Sequence, residues 1–299
     1  MVKGVKQLKK LLKSYSEYLK STASENTVNS YMGDLEKFFR EIEIKTQKDL
    51  KKIRKNLVEE YINTLKTRGM AYSSISRTIA SLRKFFLYCI EENVMSDDFT
   101  KGIETPKVAR KLPNTMSAEE VVRLIESPDV STIKGIRDKA MLEMMYATGA
   151  KVSEIINLRI SDVSLKNEIV IINSGGKHRF IPLGKACVDA MLMYLQDARV
   201  ELLSEKSGDT LFLNFYGQPM TRQGFWKIVK KYITDLGIGA NVTPQTIRHS
   251  FALHLLKNGA DADSVSEMLG YSDVSSTKIY IDVMNNKIKE VYRTAHPRA

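Results

Sequence analysis

A short run near the C-terminus combines residue types that could bind a phosphate group. Gln245, Arg248 and His249 are spaced three and four residues apart, which places them on one face of a helix. Thr243 and Pro244 are typical of a helix start, because threonine caps free N–H groups and proline has no N–H to satisfy. A guanidinium beside two hydrogen-bonding side chains can hold a phosphate in a bidentate grip. The run therefore predicts an anion site at the first turn of a helix.

Another side of the same helix is predicted to be buried. Ile247, Phe251 and Leu255 are spaced four residues apart, which forms an apolar stripe along a helix. Tyr280 follows Arg248 by thirty-two residues. Considered alone, Tyr280 is a core side chain and Arg248 is a partner in a surface salt bridge.

The order of these residues resembles the C-terminal signature of the tyrosine recombinases, in particular the Xer-type and integrase members. The signature consists of Thr-Pro-x-Thr-x-Arg-His-Ser-Phe-Ala at residues 243–252, Leu-Gly-Tyr-Ser at residues 269–272 and Ile-Tyr at residues 279–280. The resemblance extends over nearly the whole chain. It implies a site-specific recombinase that cuts and rejoins double-stranded DNA.

The reaction that the resemblance implies is attack of a tyrosine hydroxyl on a DNA phosphodiester. The tyrosine becomes joined to the 3′ phosphate, a 5′ hydroxyl is released, and the partner strand later attacks the phosphotyrosyl bond. Because the bond energy is retained, this reaction needs no ATP, metal ion or other cofactor. It does need a nucleophile, cations for the charge that develops on the phosphoryl oxygens, and a proton donor for the leaving oxygen.

Two residues match the family's catalytic set. Tyr280 matches the nucleophile, and its phenol, with an unperturbed pKa of about 10, needs neighbouring cations or a base to attack near neutral pH. Arg248 matches the second catalytic arginine. With the surrounding motifs in register, we expect these roles in place of the core and salt-bridge interpretations.

The positive charges on the N-terminal side of the signature depart from the family. Lys151 stands where the family has its first arginine, and lysine keeps the charge but loses the planar fork. Ser174 stands where the family has a lysine in a turn. Lys177, three residues later across two glycines, either replaces that lysine as the proton donor or is an ordinary hairpin lysine. The sequence leaves both interpretations open.

Two histidine positions of the family also differ. Gln245 replaces the histidine before the second arginine, and an amide can hydrogen-bond but cannot transfer a proton. Tyr271 replaces the histidine after Leu-Gly, a position where the family accepts other hydrogen-bonding or aromatic groups. His249 follows Arg248 as in the family, where its usual role is structural. Glu154 occupies the family's acidic position and is predicted to orient a cation.

The departures leave three hypotheses for function. Losing one charged contact in a phosphoryl-transfer site can lower the rate by about 10²–10³. The chain is therefore either an active or slow recombinase, or a degenerate relative that binds a DNA sequence without cutting it. A helical scaffold for protein partners is the third hypothesis, and it requires no affinity for DNA.

The charge of the chain agrees with a nucleic-acid partner without requiring one. The formal net charge is +11 over 299 residues, with a pI near 9.4. A protein this basic favours a polyanion, with DNA first and an acidic membrane surface second. Lysines on solvated helix faces would produce the same balance.

Cysteine usage and hydropathy indicate a protein of the cytoplasm. Cys89 and Cys187 are isolated within helical patterns, as small core residues are, and have neither disulfide nor zinc-site spacing. The lysine-containing start of the chain is not followed by the apolar run of a signal peptide. We therefore expect a cytoplasmic protein with no membrane partner.

Two predicted domains position these residues, and the fold class is mainly α. Apolar residues recur with helical spacing over residues 5–19, 25–42, 56–69 and 73–90. They predict a bundle of four helices over residues 1–100, with Ser24, Asn56 and Ser73 or Ser74 as helix starts. The family resemblance identifies this bundle as the SAM-like core-binding domain. Without the resemblance it is a plain helical bundle.

A linker over residues 101–115 leads to a C-terminal catalytic domain over residues 116–299. Ser117 and Glu120 form a capping-box pattern for its first helix, and Gly149 ends its second. Residues 162–183 have strand character with a glycine turn at residues 173–176, which predicts a small antiparallel sheet. Further helices are predicted at residues 187–203, 221–236, 244–256, 261–269, 275–283 and 285–293.

The resemblance also implies assembly on DNA. Family members work as tetramers on two DNA sites, so we expect a homo- or hetero-tetramer. The last predicted helix carries Ile288, Val291 and Tyr292 on one side. This apolar side packs either in a neighbouring subunit or on its own domain.

Overall fold

A computed structural model describes residues 2–106, 113–239 and 242–271, together with Thr277 and Tyr280. The chain divides into two compact units, Met1–Arg110 and Lys111–Ala299. The predicted domain limits, with a linker over residues 101–115, stay a prediction, because part of that linker lies outside the described residues. Within the described part, no helix is long and apolar enough to cross a membrane.

The first unit is a bundle of helices around an aromatic core. Its α-helices are α1 (Val2–Thr22), α2 (Glu25–Glu41), α3 (Lys55–Thr67) and α4 (Tyr72–Glu91), with a 3₁₀ helix at Gln47–Lys52 that the sequence did not predict. Tyr15, Phe38 and Phe85 are fully buried. Tyr15 meets Phe85 edge to face, with ring centroids 5.2 Å apart, a geometry that adds to the free energy from buried area.

The helix starts in this unit were predicted with mixed success. Ser24 caps α2 by accepting a hydrogen bond from the Thr27 N–H, as predicted. The prediction of Asn56 as a start was wrong, since α3 is preceded by Arg54 directly after the buried Ile53. Ser73 and Ser74 were also wrong, because Ala71 precedes α4. In both cases the helix begins without a side-chain cap hydrogen bond.

The second unit carries the described strands and the site. Its helices are α5 (Ala118–Glu126), α6 (Ile133–Thr148), α7 (Val152–Ile155), α8 (Lys185–Met193), α9 (Arg199–Leu202), α10 (Arg222–Asp235), α11 (Pro244–Lys257) and α12 (Ala262–Leu269). Its strands are β1 (Val163–Ser164), β2 (Ile169–Ser174) and β3 (Lys177–Pro182). The predicted capping box of α5 is present, with Ser117 and Glu120 each accepting from the other's backbone N–H.

The strands form one antiparallel sheet in the order β1-β2-β3. Gly175 and Gly176 connect β2 to β3, and both have positive φ, the conformation that a two-residue hairpin turn requires. Ser174 pairs directly with Lys177 across this turn. The prediction of a hairpin was confirmed, although the turn is shorter than the predicted one at residues 173–176.

Close packing of α6 against α11 positions the residues of the candidate site. α6 ends at Gly149, which adopts a left-handed conformation with φ of 57°. A Cβ on Gly149 would lie 2.3 Å from the ring of Phe251 on α11, so a larger residue does not fit here. Gly149 therefore brings the segment that leads to Lys151 against the helix that carries Arg248.

Two other predictions require correction. The helix predicted over residues 187–203 is α8 and α9, interrupted by a π-helical turn at Tyr194–Ala198. On α11 the buried stripe continues through Leu256, whereas Leu255 is only partly buried. The helices predicted at residues 275–283 and 285–293 lie outside the described residues, apart from Thr277 and Tyr280.

Candidate active site

The hydroxyl of Tyr280 lies in a cluster of polar side chains. Its Oη is 2.7 Å from Nδ1 of His249 and 3.2 Å from the hydroxyl of Tyr271. Tyr280 is 1% exposed, while His249 and Tyr271 are half-buried. Three residues singled out in the sequence therefore meet at one point.

This environment shifts both titratable groups toward their neutral forms. Burial raises the pKa of Tyr280, while the positive charge of Arg248 opposes the rise. Burial lowers the pKa of His249, and Arg248 lowers it further. At neutral pH the pair is therefore a phenol and an uncharged imidazole.

Arg248 is fixed beside this cluster by backbone carbonyls. One terminal nitrogen donates to the Gly149 carbonyl and the other to the Leu269 carbonyl, each at 2.6 Å. Its guanidinium lies over the ring of Tyr271, with Cζ 5.1 Å from the ring centroid. Tyr271 thus touches both Arg248 and Tyr280, and it connects the predicted nucleophile to the predicted cation.

The burial of Arg248 differs from the polar face expected for α11. Arg248 is 1% exposed and Gln245 is exposed, although the spacing placed them together. The reason is that α11 packs against α5, α6 and α12, which cover most of its circumference. The first turn, which carries Gln245, remains accessible.

A cleft of about 250 Å³ opens at this first turn. It is lined by Ala150, Lys151, Val152, Ser153, Arg222, Pro244, Gln245 and Arg248. Three of these residues are permanently or normally cationic, and the side chain of Lys151 is 49% exposed. The cleft is therefore suited to a phosphate group that enters from solvent.

Glu154 orients cations at the edge of the cleft. It accepts two bonds from Arg179, at 2.6 Å and 3.2 Å, and its carboxylate lies 3.9 Å from Nζ of Lys151. Burial raises the pKa of Glu154, but Arg179 and the Lys151 N–H outweigh it, so the pKa is lowered and the carboxylate stays ionised. Arg179 also donates to the Met268 carbonyl, which joins β3 to α12.

Lys177 lies at the exposed end of the β2–β3 hairpin. Directly paired residues of antiparallel strands project from the same face, with Cβ atoms about 4.5–5.5 Å apart. Lys177 therefore projects on the same side as Ser174. Among the contacts of the described residues, none joins Lys177 to Lys151, Gln245 or Arg248.

Arg222 and Arg179 are functional candidates that sequence reasoning missed. Arg222 is the first residue of α10, directly after the Thr221 cap, so its place at a helix start was a usable signal. Arg179 belongs to β3, and its pairing with Glu154 spans twenty-five residues. The alternation of β3 predicts an inward side chain there, but not its partner.

Both units of the chain match known protein families. Residues 114–287 match the phage integrase family, and residues 12–93 match the N-terminal SAM-like domain of phage integrases. The tyrosine recombinase XerD of Staphylococcus haemolyticus is 40% identical over 289 residues, which are 95% of this chain and 98% of that protein. XerD of Listeria innocua is 43% identical over 279 residues, covering 92% and 94%.

A solved structure confirms the fold class. The XerH site-specific recombinase, crystallised with palindromic difH substrate as a post-cleavage complex, matches with a TM-score of 0.75 at 24% identity. The match covers 94% of this chain and 82% of that one. The mainly helical fold with a small antiparallel sheet, predicted from the sequence, is thereby confirmed. With both family matches and relatives near 40% identity over almost its whole length, the chain belongs to the tyrosine recombinases of the phage integrase family.

Proposed function

We propose that this chain is a site-specific DNA recombinase that cuts and rejoins double-stranded DNA through a 3′-phosphotyrosyl bond to Tyr280. The observation that carries the proposal is the connection from Tyr280 through Tyr271 to Arg248. A nucleophile and a fixed guanidinium at one point are the minimum that this phosphoryl transfer needs. The adjoining cationic cleft supplies a place for the phosphate.

We assign to Arg248 the binding of the nonbridging phosphoryl oxygens. Two of its five N–H groups hold the Gly149 and Leu269 carbonyls, and this anchors the plane of the guanidinium. The other N–H groups are the donors for phosphate. Because the group is held in place before the DNA arrives, it needs no reorganisation as charge develops in the transition state.

We assign to Lys151 and Arg222 the neutralisation of the remaining negative charge of a phosphate bound in the cleft. We assign to Gln245 a hydrogen bond to the same phosphate. Lys151 is a point charge, and it lacks the fork that would bind two oxygens at once. Arg222 restores a guanidinium to the cleft from a different helix. Lys151 and Arg222 together therefore place positive charge in the cleft, as the family's first arginine does, but in a different geometry.

We assign to Lys177 the role of proton donor to the leaving 5′ oxygen. Its cross-strand pairing with Ser174 supports this assignment over that of an ordinary hairpin lysine. Directly paired residues have Cβ atoms about 4.5–5.5 Å apart, and the flexible four-carbon stem of a lysine allows its ammonium to cross such a gap. Lys177 is thus able to serve the position that Ser174 leaves without an amine.

The decisive experiment is an adduct assay with suicide DNA substrates. A nicked duplex that carries the cognate site is incubated with the protein, and denaturing gels detect DNA attached to the chain. We expect an adduct that carries a 3′-phosphotyrosine and releases a fragment with a 5′ hydroxyl. The fragment is identified because polynucleotide kinase labels it without prior dephosphorylation.

A second candidate function is sequence-specific DNA binding without cleavage. It is favoured by Lys151, Ser174, Gln245 and Tyr271 together, since each differs from the group that the family has at that position. Salt-sensitive binding to the cognate site with no adduct would select this function. Absence of binding at low salt would reject both candidates.

Assembly as a homo- or hetero-tetramer on two DNA sites is part of the proposal. Ile288, Val291 and Tyr292 lie outside the described residues, so their docking partner is a prediction from sequence alone. Analytical ultracentrifugation of the protein with one and with two DNA sites tests it. A particle that never exceeds one or two protein copies on paired sites would reject the tetramer.

A further inference from the structure

The contact between His249 and Tyr280 has a geometry suited to proton transfer. Nδ1 of the imidazole lies 2.7 Å from the phenolic oxygen, and the ring centroids are 5.6 Å apart. His249 directly follows Arg248 on α11, so one helix holds both the imidazole and the guanidinium. A base must lie within about 2.6–3.2 Å of the proton donor, and this contact satisfies that condition.

The phenol of Tyr280 requires a base more than an exposed tyrosine would. Its pKa is raised, chiefly by burial, so the phenolate is scarce at neutral pH. Gln245 cannot accept the proton as an imidazole would, and the ammonium groups of Lys151 and Lys177 are donors. Among the described residues, the groups within hydrogen-bond distance of the Tyr280 oxygen are His249 and Tyr271.

Of these two partners, the imidazole is the one able to take a proton. Tyr271 carries a phenol, which is not basic enough to deprotonate another phenol. His249 is uncharged at neutral pH, because burial and the nearby Arg248 lower its pKa. When the Tyr271 hydroxyl donates to the Tyr280 oxygen, the Tyr280 hydroxyl donates its own proton to His249. Nδ1 of His249 is then the acceptor.

We propose that His249 is the general base of the cleavage step, accepting the Tyr280 proton on Nδ1 as the phenolic oxygen attacks phosphorus. The bond from Tyr280 to phosphorus forms and the bond from phosphorus to the 5′ oxygen breaks. The 5′ oxygen takes a proton from the Lys177 ammonium, so one proton is lost by the nucleophile and one is gained by the leaving group. In the rejoining step the imidazolium returns its proton to the phenolic oxygen. The assignment rests on the proposed function, and it extends that function by one catalytic residue.

The test is single-turnover cleavage by a His249→Gln variant on two DNA substrates. One substrate has the ordinary 5′ oxygen at the scissile bond, and the other has sulfur there, which leaves without a proton. We expect His249→Gln to lower cleavage by about 10²-fold or more on both substrates, since its defect lies in the nucleophile. Lys177→Ala should be defective on the oxygen substrate and recover on the sulfur substrate.

The pH profile provides the readout that a structural role would not change. Wild-type cleavage should fall at acid pH as His249 becomes protonated, and His249→Gln should lose this acid limb. Tyr271→Phe is the matched control, because it removes the other hydrogen-bond partner of the same hydroxyl and leaves the imidazole in place. Thermal unfolding and DNA affinity are measured for every variant, so that a folding defect is recognised.

The outcomes separate the two proposals. His249→Gln cleavage at the wild-type rate with an unchanged acid limb, or faster cleavage, overturns the base assignment alone and leaves His249 as a residue that holds the hydroxyl. Recovery of His249→Gln on the sulfur substrate also overturns it. Wild-type protein that binds DNA but never forms an adduct overturns the proposed function and the base assignment together.

Discussion

In the described part of the second unit, two histidines of α11 each pair with a tyrosine, and the two pairs differ in their surroundings. His254 Nδ1 lies 2.8 Å from the hydroxyl of Tyr146, almost the distance in the pair of His249 and Tyr280. Nε2 of His254 meets the Met116 carbonyl at 3.1 Å, so both of its ring nitrogens are used inside the protein. A carbonyl can only accept, which leaves Nδ1 to accept from Tyr146.

The pair of His249 and Tyr280 lies next to a cation and a cleft. Tyr280 also meets Tyr271, whose ring carries the Arg248 guanidinium, and Arg248 lines the cationic cleft. The comparison shows that a hydrogen bond between tyrosine and histidine does not by itself indicate chemistry. What distinguishes the two pairs is a fixed cation beside the hydroxyl and a cleft large enough for a phosphate.

The largest expected effect comes from removing each hydroxyl in turn. Tyr280→Phe should abolish the covalent adduct, because no nucleophile remains. Tyr146→Phe should leave cleavage per folded molecule unchanged and lower the free energy of unfolding by about 1 kcal/mol, the net value of one hydrogen bond. Adduct assays and chemical denaturation measure the two quantities. Adduct formation by Tyr280→Phe would place the nucleophile elsewhere.

The same comparison extends to two buried arginines that bind backbone carbonyls. Arg248 holds the Gly149 and Leu269 carbonyls, whereas Arg199, 7% exposed, donates to the carbonyls of Thr210 and Leu211. Replacing either by lysine should cost about 1–3 kcal/mol of stability, since a buried carbonyl loses its donor.

Only the exchange at Arg248 should affect the chemistry. Arg248→Lys is expected to reduce cleavage by about 10²–10³ per folded molecule, and Arg199→Lys to leave it unchanged. Single-turnover rates, corrected for the folded fraction, test this difference. Equal rates for the two variants would show that Arg248 serves the fold alone.

Much of the site could be predicted because its motifs are contiguous in sequence. Thr243 and the turn after it predicted the start of α11, and the ordered motif identified Arg248 and Tyr280. The contacts of Arg179 and the presence of Arg222 in the cleft could not be predicted from contiguous motifs, since they depend on elements far apart in the chain. The burial of Arg248 was missed for the same reason, because helical spacing does not state how many neighbours cover a helix.

A smaller effect is expected from restoring a guanidinium to the cleft. Lys151→Arg adds the fork that can bind two phosphate oxygens, and we expect cleavage to rise about tenfold, or ~1.4 kcal/mol in the barrier. Lys185→Arg is the matched control, since Lys185 also pairs with an acidic side chain on its own helix, Asp189 at 3.7 Å. It should not alter the rate. A Lys151→Arg rate no higher than wild type would show that Arg222 already satisfies the phosphate.

The smallest expected effect is on the pH dependence of stability, and it also separates the two histidines. Burial is the first cause that lowers the pKa of each. For His254 the Met116 carbonyl and Glu119 favour the protonated form and Lys257 disfavours it, whereas for His249 the one further cause, Arg248, also disfavours the protonated form. The unfolded chain binds the proton near pH 6.5, above the folded pKa, so stability is lost as pH falls below about 6.5. His249→Gln should therefore flatten the acid decline of the melting temperature more than His254→Gln does. A chain of this size loses about 2–4 °C for each kcal/mol, which is measurable between pH 7.5 and pH 5.5. A steeper decline for His249→Gln than for wild type would mean that the imidazole is already protonated in the folded protein, and such an imidazole could not accept the proton of Tyr280.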